Sequence, residues 1–566
     1  MNLLVRTPSF RTLIAAVTTF LLLFGALVLL TGPPAPLRLG VLPGRNTVRG
    51  ALHIHTTRSD GALGKRDVAA AAARAGLQFA IFAEHGDATT PPDPPAYIEG
   101  VLCLDGVEIS TNEGHYLALG LPAAPYPLGG GARAVVEDVA RLGGFGLAAH
   151  PFSARQELSW SDWDPQVDGL EWLNADSEWR DEGGLMLSRA LLEYLWRPPG
   201  ALARLLDRPG DALAMWDRLA SRRPVVGLAG HDAHGGFGAE SGESSGRRLH
   251  LPSYEAAFRT FSIVARLPTA PTGEAARDAE ILLEAIRQGS VLTVIDALAS
   301  PAAVEFSARA GGQEAGVGGV LPIDAGPAVF TVRASAPPDA TTILLRDGEP
   351  VARKPGGTLD YTTAEPGAFR VEVHLARAPG TPPVPWIVTN PIYRHLPAVE
   401  PKSTRPVPLR TRLAPASRAE LGDGSSGSVS PGEEGVTLSF SLGPEAADSP
   451  FAALATDLRP DERDRLQAIE SFVFRGSAEA PMRVSVQLRF AEDQEQRWGT
   501  SIYLDRTVRW VEVPLRGLRP ADGRMAERPP ISRATSLLFV VDLTNARPGD
   551  RGSFTVTEVF LEERAP

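Results

Sequence analysis

Two histidines and an aspartate stand close together near the start of the chain, in the segment Ala51-Leu-His-Ile-His-Thr-Thr-Arg-Ser-Asp-Gly61. His53 and His55 are two residues apart, and residues at that spacing on a β-strand point to the same face of the sheet. Imidazole is the commonest metal-binding side chain, so the pair is either half of a metal site or two incidental histidines on a polar strand. Asp60 offers a carboxylate from the turn that bends at Gly61.

More ligand-type side chains follow along the chain, near the ends of apolar runs that read as β-strands, such as 79–83, 101–109, 145–149 and 224–229. One such residue alone is more often a hydrogen-bonded polar group, but their joint occurrence across one region indicates a metal centre. Imidazoles mixed with carboxylates suit Zn²⁺, Mn²⁺ or Fe²⁺, and the set is too large for one tetrahedral ion, so we expect two or three. The predicted ligands are His53, His55, Asp60, His85, Glu108, His115, His150, Asp232 and His234.

The chemistry of such a centre is hydrolysis. Clustered divalent ions activate a water molecule and stabilise the oxygens of a phosphoryl or acyl transition state. His115 or His234 would protonate the leaving group if it is not fully committed to metal. The residues predicted to contact substrate are Arg155, Arg180, Asn174 and His231. The two arginines could equally be surface residues. Strand alternation would place His231 on the opposite face from Asp232.

The elements that must position these residues fall into two kinds. Between about 50 and 299, strands alternate with helical patterns, which predicts mainly parallel strands with helices outside and strand-end residues gathered on one rim. Beyond Ser300, short alternating runs with Pro- and Gly-rich turns predict two β-sandwiches. The predicted parts are a membrane anchor or signal over 1–36, a metallohydrolase domain over 45–300, an Ig-like sandwich over 301–398 and a jelly-roll, galactose-binding-like sandwich over 405–566.

The N-terminal segment is apolar from Leu13 to Leu30, close to the ~20 residues that cross a bilayer. It is longer than the apolar core of most secretory signals and lacks a clear Ala-x-Ala cleavage site, so an uncleaved transmembrane helix is favoured over a cleaved signal. Arg6 and Arg11 favour a cytoplasmic N-terminus. We therefore expect a single-pass membrane protein whose catalytic body is extracytoplasmic, periplasmic or extracellular.

Composition excludes several other classes of protein. The formal net charge of -11 argues against a dedicated nucleic-acid surface, which is normally basic. Cys103 is the only cysteine, so no disulfide can form within one chain, and its apolar neighbours predict a buried packing residue.

The motifs together resemble those of the PHP (polymerase and histidinol phosphatase) superfamily. The matching segments are His53-Ile-His55 with Ser59-Asp60-Gly61, His85, Glu108 with Gly114-His115, His150-Pro151 and Gly230-His-Asp232-Ala-His234. The resemblance implies a distorted (β/α)7 barrel with a di- or trinuclear centre, with all nine predicted ligands at ligand positions. It also implies hydrolysis of phosphate esters or, in some branches, of carboxylic or carbamate esters. The layout after Ser300, with Pro385-Trp-Ile-Val-Thr-Asn-Pro, is similar to the extracytoplasmic branch related to carbaryl hydrolase.

Two positions depart from the pattern of that superfamily. Glu84 and Gly86 flank His85 where many relatives have Asp and Asn, and Glu84 could still orient His85 by a hydrogen bond. His231 stands where a small Ser or Asn is common, so it could narrow the pocket. Neither departure removes a ligand.

Three functions remain open at this point. The first is a metal-dependent phosphoesterase acting on a small-molecule phosphoester, and the second is a carboxylic or carbamate ester hydrolase on the same centre. The third is a surface protein that binds glycan through its C-terminal domain and keeps a vestigial hydrolase. For that function, Trp498, Tyr503 and Trp510 would form an aromatic platform, although core packing is the alternative for each.

Overall fold

A computed structural model describes residues 32–40, 46–236, 251–394, 410–413, 417–432, 435–490, 497–520 and 531–563, with single residues at 15, 18, 19 and 22. The predicted anchor between Leu13 and Leu30 lies almost wholly outside these residues. Within them, no helix is long and apolar enough to span a bilayer.

The first part of the chain, residues 32–300, combines a mixed sheet with helices. Strands β1 to β12 are Leu37–Arg38, Thr47–Ile54, Phe79–His85, Ala96–Ile98, Val101–Thr111, Gly114–Leu119, Phe145–Ala148, Gly169–Asn174, Val226–Gly230, Ser262–Arg266, Val291–Val294 and Ala299–Ser300. The helices are Lys65–Arg74, Ala132–Arg141, Ala175–Arg180, Gly184–Tyr194, Pro198–Ala203, Gly210–Ala220, Tyr254–Phe258 and Ala275–Arg287.

The strands of this sheet run in the order β11-β10-β2-β3-β5-β6-β7-β8-β9. β2, β3 and β5 are parallel, as are β7, β8 and β9, whereas β6 and β10 are antiparallel to both of their neighbours. The expectation of mainly parallel strands is therefore corrected to a mixed sheet. The reason is local, because only Asn112 and Glu113 join β5 to β6, and so short a connection makes a hairpin rather than a crossover.

The far edge of the sheet returns to its first strands. The amides of His231 and Ala233 donate to the carbonyls of Leu52 (2.9 Å) and His53 (3.2 Å), and the His55 amide donates to the carbonyl of Ala233 (3.0 Å). The chain after β9 is thus hydrogen-bonded to the end of β2, so the sheet curls and brings the ends of distant strands together. A regular seven-stranded β/α barrel stays a prediction.

Both faces of this sheet are buried, as is usual where parallel strands carry helices. On one face Leu52 packs in a core with Ile81. On the other face Ala51 and Cys103 share a core with the helix Lys65–Arg74. Cys103 is thus a buried packing residue, as its sequence context predicts.

The second part, residues 301–394, consists of two packed sheets. Strands β13 to β22 are Val304–Ala310, Gln313–Gly316, Val320–Leu321, Ala328–Ala334, Thr341–Arg346, Glu349–Pro355, Thr358–Thr363, Gly367–His374, Ile387–Thr389 and Ile392–Arg394. One sheet has the order β14-β13-β16-β19, and the rings of Phe330 and Phe369 stack between it and the other sheet at 4.2 Å. That other sheet continues into the first part because β21 pairs with β11, so the sheet crosses the predicted boundary at residue 300.

The third part is a separate antiparallel β-sandwich. Strands β23 to β34 are Arg410–Arg412, Ser417–Leu421, Ser426–Pro431, Val436–Ser441, Phe451–Asp457, Ile469–Ala478, Met482–Phe490, Arg497–Leu504, Arg509–Pro514, Arg519–Pro520, Ala534–Asp542 and Arg551–Glu563, with a helix at Pro460–Arg465. The two sheets have the orders β25-β26-β34-β28-β31, with β23 beside β34, and β24-β27-β33-β29-β30-β32. Trp498 lies in the core between them, which removes it from the predicted aromatic platform.

Buried ion pairs join both later parts to the first. The guanidinium of Arg370, on β20, donates twice to Asp217 of the helix Gly210–Ala220, at 2.7 Å for each bond, and once to Glu372 at 2.7 Å. In the third part, Arg483 on β29 donates to Asp138 of the helix Ala132–Arg141, with its shortest contact at 2.6 Å. Because buried charges must keep their partners, these pairs fix how the parts sit against each other.

Replacing Arg370 should test the first of these joints. Arg370→Met would leave the buried Asp217 carboxylate without its cation, and we expect the free energy of unfolding to fall by about 3–5 kcal/mol. Urea denaturation followed by tryptophan fluorescence would measure it. The control is Arg309→Met, which breaks an exposed ion pair with Glu314 and should change the free energy by less than about 1 kcal/mol. Equal effects from both variants would show that the buried pair does not hold the parts together.

Candidate metal centre

The nine predicted ligands lie together where the strands of the first part end. β2 leads into His53 and His55, β3 ends at His85, β5 carries Glu108 and β6 carries His115. β7 precedes His150, and β9 precedes Asp232 and His234, while Asp60 comes from the turn after β2. The curl of the sheet is what makes these ends converge.

Glu108 occupies the middle of the cluster and is almost completely buried. One carboxylate oxygen, Oε1, faces two imidazoles, at 2.7 Å from His115 Nδ1 and 2.8 Å from His150 Nε2. The other oxygen, Oε2, faces three more, which are His53 Nε2 at 3.2 Å, His55 Nε2 at 3.3 Å and His85 Nδ1 at 3.2 Å. A single carboxylate surrounded by five imidazoles is placed to be a common ligand for cations that those imidazoles would bind.

Two aspartates complete the cluster on either side of His55. Asp232 Oδ1 lies 3.3 Å from His55 Nε2 and 3.5 Å from His53 Nε2. Asp60 is partly exposed and lies 3.2 Å from His234 Nε2, 3.5 Å from His85 Nε2 and 3.4 Å from His55 Nδ1. The cluster therefore runs from a buried end at Asp232 to an open end at Asp60.

The donor atoms form four overlapping groups, in each of which they lie within 4.8 Å of one another. Among the described residues, Nε2 of His53 and Nε2 of His55 are buried without a hydrogen-bond partner, although both point at carboxylates. Orphaned imidazole nitrogens beside carboxylates, in a mixed nitrogen and oxygen set, suit divalent transition metals. The groups are His55-Asp60-His85-His234, His53-His55-Glu108, His53-His150-Asp232 and His85-Glu108-His115.

The electrostatics of the cluster favour positive charge. Burial alone would lower the pKa of His53, but Glu171, Asp232 and Glu108 outweigh burial and raise that pKa well above its usual value. Burial likewise opposes the shift at His55, whose pKa the nearby carboxylates of Asp232 and Glu108 raise to about 9. The imidazoles in turn hold the pKa of Glu108 far below its usual value against the effect of burial. Bound divalent cations would supply the positive charge that compensates these carboxylates.

Three members of the cluster have a left-handed backbone, which is rare for residues other than glycine. The φ angles are 64° at His53, 31° at His150 and 46° at Asp232. Each such residue costs about 1–3 kcal/mol and persists only where its surroundings hold it. The strain coincides with the sharp bends that turn these side chains into the cluster.

Glu171 on β8 supports the buried end without being one of the predicted ligands. Its carboxylate lies 2.7 Å from His53 Nδ1, accepts from the His150 amide at 2.8 Å and accepts from Asn174 Nδ2 at 2.8 Å. Gly230 is required beside it, because a Cβ there would lie 1.9 Å from Glu171 Oε1. Glu171 thus orients His53 so that Nε2 faces the cluster, as second carboxylates do in many metal sites.

Two other residues hold the chain around the cluster. Glu84 accepts from the hydroxyls of Thr56 and Ser59, at 2.6 Å each, so it braces the loop before Asp60 instead of orienting His85. Tyr254, which sequence reasoning missed, donates to the carbonyl of His55 at 2.8 Å and is 2.9 Å from that of His234. No local pattern marks Tyr254, because its role depends on a contact between distant segments.

The four predicted substrate residues are outside the four groups of donor atoms. His231 is buried, its ring stacks on Phe261 at 4.0 Å, and burial lowers its pKa to about 4, so it is a neutral core residue. Asn174 caps the helix Ala175–Arg180 and donates to Glu171. Arg180 pairs with Asp176, and Arg155 is exposed. Their contacts explain local structure, and none of them joins the candidate metal groups.

No protein-family model and no curated protein sequence matches this chain. Among solved structures, a two-domain protein from Bacteroides vulgatus containing a predicted PHP-like metal-dependent phosphoesterase is 13% identical, with a TM-score of 0.30 over 63% of this chain and 100% of that one. The family 11 carbohydrate-binding module from Clostridium thermocellum in complex with a mixed-linked tetrasaccharide is 15% identical, with a TM-score of 0.21 over 27% of this chain and 94% of that one. A family 30 carbohydrate-binding module is 13% identical, with a TM-score of 0.20 over 27% of this chain and 95% of that one. Likenesses this slight carry no argument about fold or activity.

The role of Glu171 can be tested without removing a predicted ligand. Glu171→Gln keeps the shape of the side chain but removes the charge that faces His53, so we expect metal affinity to fall about 10–100-fold. Competition with a chromogenic chelator would measure it. The matched control is Glu372→Gln, a buried glutamate of the second part, which should leave the affinity unchanged. Unaltered affinity in Glu171→Gln would contradict the assigned role.

Proposed function

We propose that this chain is a PHP-type metal-dependent hydrolase, and that its substrates are phosphate esters. The observation that carries the proposal is the cluster around Glu108, in which six imidazoles and two further carboxylates converge on one end of a curled sheet. The cofactor would be two or three ions of Zn²⁺, Mn²⁺ or Fe²⁺. The narrower relation to the carbaryl hydrolase branch stays part of the proposal.

The overlapping donor groups divide the cluster among several ions. His53, His150 and Asp232 would hold an ion at the buried end. The open end would be held by the group that contains Asp60 and His234. Bound divalent ions lower the pKa of a water molecule and offset negative charge that develops on the oxygens of the ester.

The protein's own groups would position the substrate and move protons. His115 and His234 lie at the partly exposed side of the cluster, whereas His53 and His55 are fully buried. His234 Nε2 contacts Asp60, and His115 Nε2 faces the hydroxyl of Ser110 at 3.3 Å. Either imidazole could pass a proton to the departing alcohol if it is not committed to a metal ion, since both are partly exposed.

Replacing His55 tests this function directly. His55→Ala removes a donor shared by two of the candidate groups, so kcat/KM for p-nitrophenyl phosphate should fall at least about 100-fold in protein loaded with Zn²⁺ or Mn²⁺. The control is His374→Ala, which removes a histidine of the second part that pairs with Glu372.

The outcomes of that assay separate the alternatives. Faster turnover of 1-naphthyl esters than of p-nitrophenyl phosphate or bis(p-nitrophenyl) phosphate would favour the carboxylic or carbamate ester hydrolase. Full metal content without turnover of any ester would favour a vestigial hydrolase. Full activity in His55→Ala would contradict a metal-dependent mechanism.

A second candidate function, glycan binding, is favoured by a cleft of about 1100 Å³ between the first and third parts. Its walls include the outer face of β29 and β30, the helix Ala132–Arg141, and Asn112 with Glu113. Among the described residues, Gln487 Oε1 and Ser501 Oγ are buried there without a hydrogen-bond partner. Buried polar groups without a hydrogen-bond partner suit the hydroxyls of sugars.

A short segment of the chain connects the cleft to the metal centre. Asn112 and Glu113 form the hairpin between β5, which carries Glu108, and β6, which carries His115. A ligand in the cleft would therefore touch the loop that joins two of the predicted metal ligands.

Affinity electrophoresis of the full chain in mixed-linkage β-glucan, xylan and dextran would test the cleft. We expect at least one polymer to retard the chain, and Gln487→Ala to weaken that retardation about fivefold through loss of a hydrogen bond. The control is Gln288→Ala, at the end of the helix Ala275–Arg287. Migration unaffected by all three polymers would contradict glycan binding in the cleft.

We also propose that the body is extracytoplasmic and tethered by the N-terminal segment. This location is supported by the apolar run from Leu13 to Leu30 and by Arg6 and Arg11 before it.

A further inference from the structure

The helix Gly184–Tyr194 presents apolar side chains to solvent. Together with the two residues that follow it, this helix carries a set that we name the leucine face. Its members are between 43% and 88% exposed. They are Leu185, Leu191, Leu192, Leu195 and Trp196.

The buried side of this helix contains a charged residue. Glu193 is almost fully buried, and its carboxylate accepts from Arg189 at 2.9 Å and from Arg204 at 2.5 Å. A helix on the surface of a soluble protein normally buries its apolar stripe and exposes its charges. This helix instead buries Glu193 beside Ala190 and leaves several large apolar side chains in water.

Exposed leucines are unremarkable when they are scattered, but these five large apolar side chains fall within twelve residues of the chain, from 185 to 196. A contiguous apolar patch of this kind marks a surface for another protein or for a membrane. The choice between these partners depends on what lies beside the patch.

The N-terminal segment arrives at this patch. Pro33, three residues after the apolar run that ends at Leu30, is buried, and its carbonyl accepts from Arg197 Nη1 at 2.9 Å. Its ring also packs against Gly200, where a Cβ would lie 2.9 Å from Pro33 Cβ. Arg197 directly follows Trp196. Pro33, which follows a run long enough to enter a bilayer, is therefore fixed next to the leucine face.

We propose that the leucine face lies in the interfacial layer of the lipid bilayer. Leucines would enter the boundary between headgroups and acyl chains, and Trp196 would take the interfacial position that tryptophan prefers. The surface acts together with the N-terminal segment and orients the body on the membrane.

Binding of the leucine face to the membrane would give the metal centre a defined position relative to the bilayer. The short helix Ala175–Arg180 connects Asn174, which supports Glu171, to the start of the helix Gly184–Tyr194. Docking would hold this side of the first part toward the membrane. The inference does not depend on hydrolysis, because it rests on the exposed face and on the contacts of Pro33.

A single fluorescent label can test the proposal in the full chain. Cys103 is the only cysteine and is buried, so Leu195→Cys would offer the accessible thiol for an environment-sensitive nitrobenzoxadiazole label. The control is Val329→Cys, an exposed position on β16 of the second part. Both proteins would be reconstituted into vesicles of phosphatidylcholine and phosphatidylglycerol, with and without spin-labelled lipids.

We expect spin-labelled lipids to quench the label at 195 at least about twofold more than the label at 329, with emission shifted to shorter wavelength. Equal, water-like emission at both positions would overturn the proposal. An apolar signal at 195 that lipids do not quench would also overturn it, because protein would then cover the face. Leu195→Glu should leave the hydrolysis of p-nitrophenyl phosphate unchanged, which separates this surface from the metal centre.

Discussion

The structure of the first part depends on one buried charge. An ionised carboxylate far from water is expensive unless cations or hydrogen-bond donors surround it. Glu108 meets that requirement with five imidazoles drawn from the ends of four other strands, which can converge only if the sheet curls. The left-handed backbones of His53, His150 and Asp232 are part of the same arrangement, since strain of this kind survives only where surrounding contacts hold it. Divalent cations would satisfy the carboxylates and the orphaned imidazole nitrogens together.

The sequence could predict the cluster because its members follow a local rule. Each lies near one end of an apolar run or in the turn that follows it, and strand ends gather on one rim of a sheet of this kind. The same reasoning failed where the outcome depends on contacts between distant segments. Strand alternation already sets His231 apart from the ligand Asp232, but it does not show that the ring of His231 stacks on the distant Phe261. Glu84 is one residue before His85, yet it reaches back to Thr56 and Ser59.

The larger architecture shows the same division between local and distant information. Short alternating runs predict strands in the second and third parts, and the structure has strands there. No local pattern shows that β21 will pair with β11 and carry one sheet across residue 300. The antiparallel position of β6, by contrast, was readable in principle, because two residues cannot make a crossover. Buried pairs such as Arg370 with Asp217 then fix the parts against each other, and their partners are far apart in sequence.

The central claim is that the cluster around Glu108 holds divalent metal ions. Anomalous scattering from crystals of the full chain grown with Zn²⁺, with data collected on both sides of the zinc edge, tests it most directly. The account predicts two or three anomalous peaks, each about 2.0–2.2 Å from imidazole nitrogens or carboxylate oxygens of the nine residues. Crystals with zinc peaks only at surface histidines or carboxylates, and none inside the cluster, would contradict it.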